Sequence, residues 1–137
     1  MSLYFSYGSN MNVFAMKRHC PGAHLWGAAR LPCWRFVLMT SGYATIIPDV
    51  GKNVYGALWE VSIPELKELD RYEEINQGLY VRKRISVFIK PAGAKQAFVY
   101  IGQNSCFGRA PHSYMEELIT AAKNLSLPSA YLRYLGH

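Results

Sequence analysis

Strand-length runs of aromatic and β-branched residues constrain the fold of this chain more than any other feature. They are separated by Gly, Ser, Asp and Lys at positions typical of turns, including the turn predicted at 49–52. The predicted strands are Leu3–Tyr7, Trp34–Met39, Tyr43–Pro48, Asn53–Val61, Leu79–Lys90 and Gln96–Ile101. Such a succession favours a meander or the wall of a barrel.

Helices are predicted between and after these strands. Ser62 and Glu65 form a capping box with Pro64 in the first turn, so a helix should run from about Ile63 to Tyr72 or Glu73. A second capping box is predicted at Ser113 and Glu116, and shorter helices at Met11–His19 and Leu127–Leu135. The expected fold class is α+β, a mostly antiparallel, barrel-like sheet with peripheral helices.

Size and charge limit the possible functions. The chain has 137 residues, 50% of them hydrophobic, which is enough for one compact core, so we expect a single domain spanning 1–137. The net charge of +6 favours anionic partners. The only basic run, Arg82-Lys83-Arg84, alternates between the two faces of a predicted strand, which argues against a dedicated nucleic-acid site.

The three cysteines show no C-x-x-C pair and no Cys/His cluster, so neither a disulfide framework nor a structural metal site is indicated. The four histidines lack paired spacing and Cys106 has no recognisable base partner, which does not suggest a Cys–His enzyme. No targeting segment or long apolar run is evident. We therefore expect a cytoplasmic protein with no membrane segment.

The loop Tyr7-Gly8-Ser9-Asn10 follows the first predicted strand. Gly8 permits a sharp turn, and Ser9 or Asn10 can cap the next helix, so several backbone N–H groups should face the space above the strand end. This arrangement suits a carboxylate or an oxyanion. An ordinary strand-to-helix turn without a ligand remains the alternative.

Glu73 lies at the end of the predicted helix that begins near Ile63. Helical periodicity places it close to Leu66, on the apolar stripe that Ile63, Leu66 and Leu69 define. Burial and the negative end of the helix dipole would both raise the pKa of a carboxyl there, which suits a general acid/base. Alternatively, the helix ends earlier and Glu73 and Glu74 are solvated loop carboxylates.

Four stretches taken together resemble the γ-glutamylcyclotransferase-like, or AIG2-like, family: YFSYGSNM at 4–11, LDRYEEINQGLY at 69–80, the strand around Tyr100, and PHSY at 111–114. The resemblance implies a small mixed barrel with a cavity and with no cofactor or metal. It also implies that Glu73 is the catalytic acid/base. The substrate-binding positions it implies are Tyr7, Gly8, Ser9, Asn10, Tyr100 and Tyr114.

The implied reaction is intramolecular: the α-amine of a γ-glutamyl substrate attacks its own γ-carbonyl and releases 5-oxoproline. The leaving amine and the oligomeric state are not indicated. Glu74 departs from the family, whose members commonly have Gly after the catalytic Glu, and we expect Glu74→Gln to keep most activity. A non-catalytic module that binds a small anion or a peptide remains an alternative, and Tyr100 and Tyr114 could instead be structural aromatics.

Overall fold

The computed structural model describes residues 2–73, 80–102, 108 and 112–136. In chain order its strands are β1 (Ser2–Ser6), β2 (His24–Leu38), β3 (Ala44–Val61), β4 (Tyr80–Ile89) and β5 (Gly93–Gly102). Its α-helices are α1 (Val13–His19), α2 (Ile63–Tyr72), α3 (His112–Asn124) and α4 (Ser129–Leu135). A short 3₁₀ turn, Ser9–Met11, links β1 to α1. The predicted α+β fold is confirmed.

The five strands form a closed barrel in the order β1-β3-β2-β4-β5. Neighbouring strands are antiparallel except for β1 and β5, which are parallel and meet where Tyr4 is opposite Phe98. Closure gives each of the five described strands a partner on both sides, with β1–β5 and β2–β4 meeting at one residue pair each. The C-terminal ends of β1 and β5 and the N-terminal end of β4 therefore come together. They carry most of the residues discussed below.

Two predictions about β2 and β3 were wrong. The strand predicted at 34–39 begins ten residues earlier, at His24, because the bulge between Pro32 and Trp34, with Cys33 at φ 70°, lets the chain continue past the proline. The residues at 49–52 do not separate two strands. Both flanks pair with β2, and Gly51 at φ 85° lies in the exposed stretch between them.

The helix ends agree with the sequence in α2 but not in α3. Ser62 Oγ accepts from the Glu65 N–H while the Glu65 side chain accepts from the Ser62 N–H, which confirms the capping box. Ile63, however, is 63% exposed and takes no part in the buried stripe. In α3, His112 is already helical, so Ser113 lies within the first turn and not at the N-cap.

The core fills the barrel and the space beneath the helices. Trp59 is fully buried, and its indole N–H donates to Ser6 Oγ at 3.2 Å. Strands β1 and β3 approach so closely at Gly56 that a Cβ there would lie 2.1 Å from the Ser6 carbonyl oxygen. Cys20 is buried and Cys33 exposed, both as free thiols. In the described part of the chain, no helix is long and apolar enough to cross a membrane.

Candidate active site

The loop after β1 is a 3₁₀ turn whose first amides take no part in the hydrogen bonds within the turn. Its first backbone bond runs from the Met11 N–H to the Gly8 carbonyl at 3.0 Å, so the N–H groups of Ser9 and Asn10 precede it. The prediction that Ser9 or Asn10 caps the next helix was wrong. Asn12 caps α1, its side chain accepting from the Ala15 N–H at 3.0 Å.

Because neither Ser9 nor Asn10 caps α1, their side chains contact other elements. Ser9 Oγ lies 3.1 Å from the Tyr72 hydroxyl at the end of α2. Asn10 is only 2% exposed, and its Nδ2 donates to the Tyr4 hydroxyl at 3.2 Å. Its Oδ1 is buried and has no hydrogen-bond partner among the described residues. A buried acceptor without a donor is costly, so this atom is suited to an N–H of a ligand.

Glu73 follows directly after the last residue of α2. It is the C-cap, and its N–H donates to the Leu69 carbonyl at 2.9 Å, so its backbone remains tied to the last helical turn. Glu73 is partly buried, whereas the alternative prediction made it a solvated loop carboxylate. Burial raises the pKa of this carboxyl from its usual 4.5 to about 7.

Tyrosines from four different elements lie near the Glu73 carboxyl. They are Tyr4 on β1, Tyr7 in the loop, Tyr80 on β4 and Tyr114 on α3. Burial raises the pKa of each hydroxyl, to about 12 for Tyr114, and the negative charge of Glu73 adds to the shift in all four. Glu73 is therefore close to all of them, in a region of low solvation.

These groups line one cavity of about 540 Å³, within the range of small-molecule sites. All the predicted site residues line it: Tyr7, Gly8, Ser9, Asn10, Glu73, Tyr100 and Tyr114. Tyr100 is 3% exposed and its ring meets Tyr4 edge-on, with centroids 5.7 Å apart. Glu74 and Cys106 lie outside the described residues.

Sequence reasoning missed several residues of this cavity. The missed side chains are Tyr4, Phe5, Ser6, Tyr43, Ala44, Tyr72, Tyr80 and Glu117. Most of them carried a usable signal: Tyr4, Phe5 and Ser6 lie in the 4–11 motif and Tyr72 in the 69–80 motif. Tyr80 closes the 69–80 motif, and Glu117 lies three residues after Tyr114 on α3, hence on the same helix face. Among the described residues, no group of three His, Cys, Asp or Glu could hold a metal ion.

The fold and the site together define a closed mixed barrel whose cavity holds a carboxyl with its pKa raised by burial to about 7, an arrangement suited to proton transfer to or from a small molecule. The model of the AIG2-like family matches residues 53–135, more than half of the sequence. The chain belongs to the AIG2-like family.

Named relatives and solved structures agree with this assignment. The chain is 29% identical to a gamma-glutamylcyclotransferase of Bos taurus, over 98% of this chain and 77% of that protein. It is 28% identical to the gamma-glutamylcyclotransferase of Homo sapiens, over 94% of this chain and 74% of that protein. A solved structure of a gamma-glutamyl cyclotransferase superposes with a TM-score of 0.89 at 26% identity, covering 98% of this chain and 86% of the other.

Proposed function

We propose that this protein is a γ-glutamylcyclotransferase-type enzyme that releases 5-oxoproline from a γ-glutamyl amino acid, peptide or amine. The single observation that carries the proposal is Glu73, a carboxyl whose pKa burial raises to about 7, in a cavity beside the loop 7–10. The relatives named gamma-glutamylcyclotransferase support the same chemistry.

The reaction needs one nucleophile and one electrophile, and both belong to the substrate. The α-nitrogen forms a bond to the γ-carbon, and the bond from the γ-carbon to the leaving nitrogen breaks. The α-ammonium gives up two protons in all as it becomes the lactam N–H, and the leaving nitrogen takes up two and departs as an ammonium ion. Each proton that Glu73 accepts as carboxylate it returns as carboxylic acid. Atoms and protons balance without a co-reactant, and Glu73 ends the cycle in its starting state.

The raised pKa matters for the first of these transfers. An α-ammonium group titrates near pH 8 or above, several units above an ordinary glutamate. Moving the pKa of Glu73 from 4.5 to about 7 lowers the free-energy cost of accepting that proton by roughly 3 kcal/mol. About half of these carboxyls are still ionised at pH 7, so the base form is available.

The loop supplies two kinds of polar contact for the substrate. The amides of Ser9 and Asn10 can donate to the α-carboxylate or to the oxyanion that develops on the γ-carbonyl. The buried Oδ1 of Asn10 can only accept, so we assign it to an N–H of the substrate's α-nitrogen. Holding both ends of the glutamyl group brings nucleophile and carbonyl together, and such orientation can contribute up to about 7–11 kcal/mol.

The test is a turnover assay on the parent and two variants. Purified protein is incubated with γ-glutamyl amino acids, γ-glutamyl peptides and γ-glutamyl amines, and 5-oxoproline is measured by mass spectrometry. We expect product from the parent and at least a 10²-fold loss in Glu73→Gln. The control is Glu68→Gln, which removes an exposed carboxylate of the same helix that pairs with Arg71 at 2.8 Å. It should keep parental turnover.

Two results would contradict the proposal. Equal turnover in Glu73→Gln and the parent would show that Glu73 is not the acid/base. Saturable binding of γ-glutamyl ligands without any 5-oxoproline would favour a binding module in place of an enzyme. When product does form, the substrate that yields it most rapidly identifies the leaving amine.

A further inference from the structure

Asp70 holds the C-terminal turn of α2 against the barrel through both of its carboxylate oxygens. The Tyr100 hydroxyl donates to Oδ1 at 2.6 Å, and Arg82 donates to Oδ2 at 2.7 Å. Tyr100 and Arg82 are direct cross-strand partners on β5 and β4. The Asp70 side chain is therefore bound to one cross-strand pair of the sheet.

Tyr100 also connects these contacts to the loop at 7–10. Its backbone carbonyl accepts a hydrogen bond from the Tyr7 hydroxyl, while its own hydroxyl donates to Asp70. The bond from Tyr7 is buried, so water competes little with it, whereas the bond to Asp70 is only partly buried. A continuous chain of hydrogen bonds thus runs from the loop through β5 to α2.

Asp70 precedes Glu73 by three residues, which puts both side chains on neighbouring positions of one helical face, about 4.5 Å apart along the axis. The bond from the Glu73 N–H to the Leu69 carbonyl makes the Glu73 backbone part of the same turn. Fixing Asp70 therefore fixes the point from which the Glu73 side chain enters the cavity.

We infer that Asp70, through Tyr100 and Arg82, is the positioning residue that keeps the Glu73 carboxyl inside the cavity in reach of the bound substrate. The inference rests on the function proposed above for Glu73. It gives Asp70, the first acidic residue of the 69–80 motif, a role in turnover. The contacts of Asp70 with Tyr100 and Arg82 form the helix anchor, in which the Tyr100 hydroxyl acts without touching the substrate.

A positioning role and a purely structural role predict different behaviour of Glu73. If the anchor only stabilises the fold, its loss lowers the melting temperature but leaves Glu73 in the same surroundings in the folded fraction. If it positions Glu73, its loss lets the carboxyl move toward solvent, away from the other titratable groups that line the cavity, among them Tyr4, Tyr7, Tyr80, Tyr114 and Glu117. Its titration then shifts toward that of an ordinary glutamate.

The experiment compares Asp70→Asn and Tyr100→Phe with Glu68→Gln as the matched control on the same helix. Asp70→Asn keeps an oxygen for the Tyr100 hydroxyl but loses the charge that holds Arg82. Tyr100→Phe removes only the hydroxyl. We expect kcat to fall about 10²-fold in each, as for a misplaced catalytic group, and the acidic limb of the pH profile of kcat/KM to move from near pH 7 toward pH 4.5.

A second readout does not depend on activity. The glutamate carboxyls are isotope-labelled and titrated by NMR, and the Glu73 signal is identified by its absence in Glu73→Gln. A lower titration midpoint in both anchor variants supports the inference. An unchanged midpoint overturns it, whether or not turnover falls. The proposed function fails separately, if Glu73→Gln turns over like the parent.

Discussion

Replacing Glu73 by Gln should make the protein more stable above neutral pH, although it removes activity. Folding raises the pKa of Glu73 from 4.5 to about 7. Between pH 4.5 and pH 7, Glu73 of the folded protein therefore holds a proton that the unfolded chain has already released. Stability of the parent therefore falls as pH rises through this window. In Glu73→Gln the neutral amide has no such pH dependence.

The size of the effect follows from the shift in pKa. Each unit corresponds to about 1.4 kcal/mol, and between pH 5 and pH 8 the parent should lose roughly 2–3 kcal/mol relative to Glu73→Gln. Because Glu73 is only partly buried, solvent screens its charge and this free-energy difference is an upper limit. For a domain of this size the variant's melting temperature at pH 8 should exceed the parent's by roughly 5–10 °C.

Urea unfolding of both proteins at pH 5, 6, 7 and 8 gives the free energies directly. Other titrating groups are common to the two proteins, so the difference between them isolates Glu73. The control Glu68→Gln removes an exposed ion pair worth about 0–1 kcal/mol, and its curve should run parallel to the parent's. Parallel curves for Glu73→Gln and the parent would refute the assignment of a raised pKa.

Two further substitutions test the barrel and the cavity mouth. Gly56→Ala should lower the free energy of unfolding by about 4 kcal/mol or more, or prevent folding, because its Cβ would lie 2.1 Å from the Ser6 carbonyl oxygen. Circular dichroism during urea unfolding measures this loss. A loss below about 1 kcal/mol would contradict the close approach of the strands. Tyr72→Phe removes the hydroxyl that lies 3.1 Å from Ser9 Oγ at a half-exposed site. We expect steady-state kinetics to show KM raised a few-fold with kcat unchanged. An unchanged KM would mean that this hydrogen bond does not shape the mouth of the cavity.

Local sequence signals predicted the elements that local interactions specify. The capping box at Ser62 and Glu65 requires only four residues, and it fixed the start of α2. The helical period correctly turned Glu73 inward, although the helix itself ends one residue earlier. The loop at 7–10 was placed correctly, but its cap is Asn12, a choice that depends on the 3₁₀ turn before it.

Features that depend on distant partners could not be predicted from the sequence. The course of β2 past Pro32 depends on its pairing with β3 around a bulge, and the parallel contact between β1 and β5 exists only because the barrel closes. Likewise, nothing near Asp70 in the sequence indicates that it binds Tyr100 and Arg82. Such contacts join elements that are far apart in the chain.

The surroundings of Glu73 explain how a carboxyl can have a raised pKa among so many hydroxyl groups. A donor to the carboxylate would stabilise its charge and lower the pKa. Three of the nearby hydroxyl protons are instead committed elsewhere: Tyr7 donates to the Tyr100 carbonyl, Tyr80 to the Ala44 carbonyl at 2.9 Å, and Tyr100 to Asp70. These three hydroxyl protons are therefore not available to Glu73, and burial remains the cause of its pKa shift.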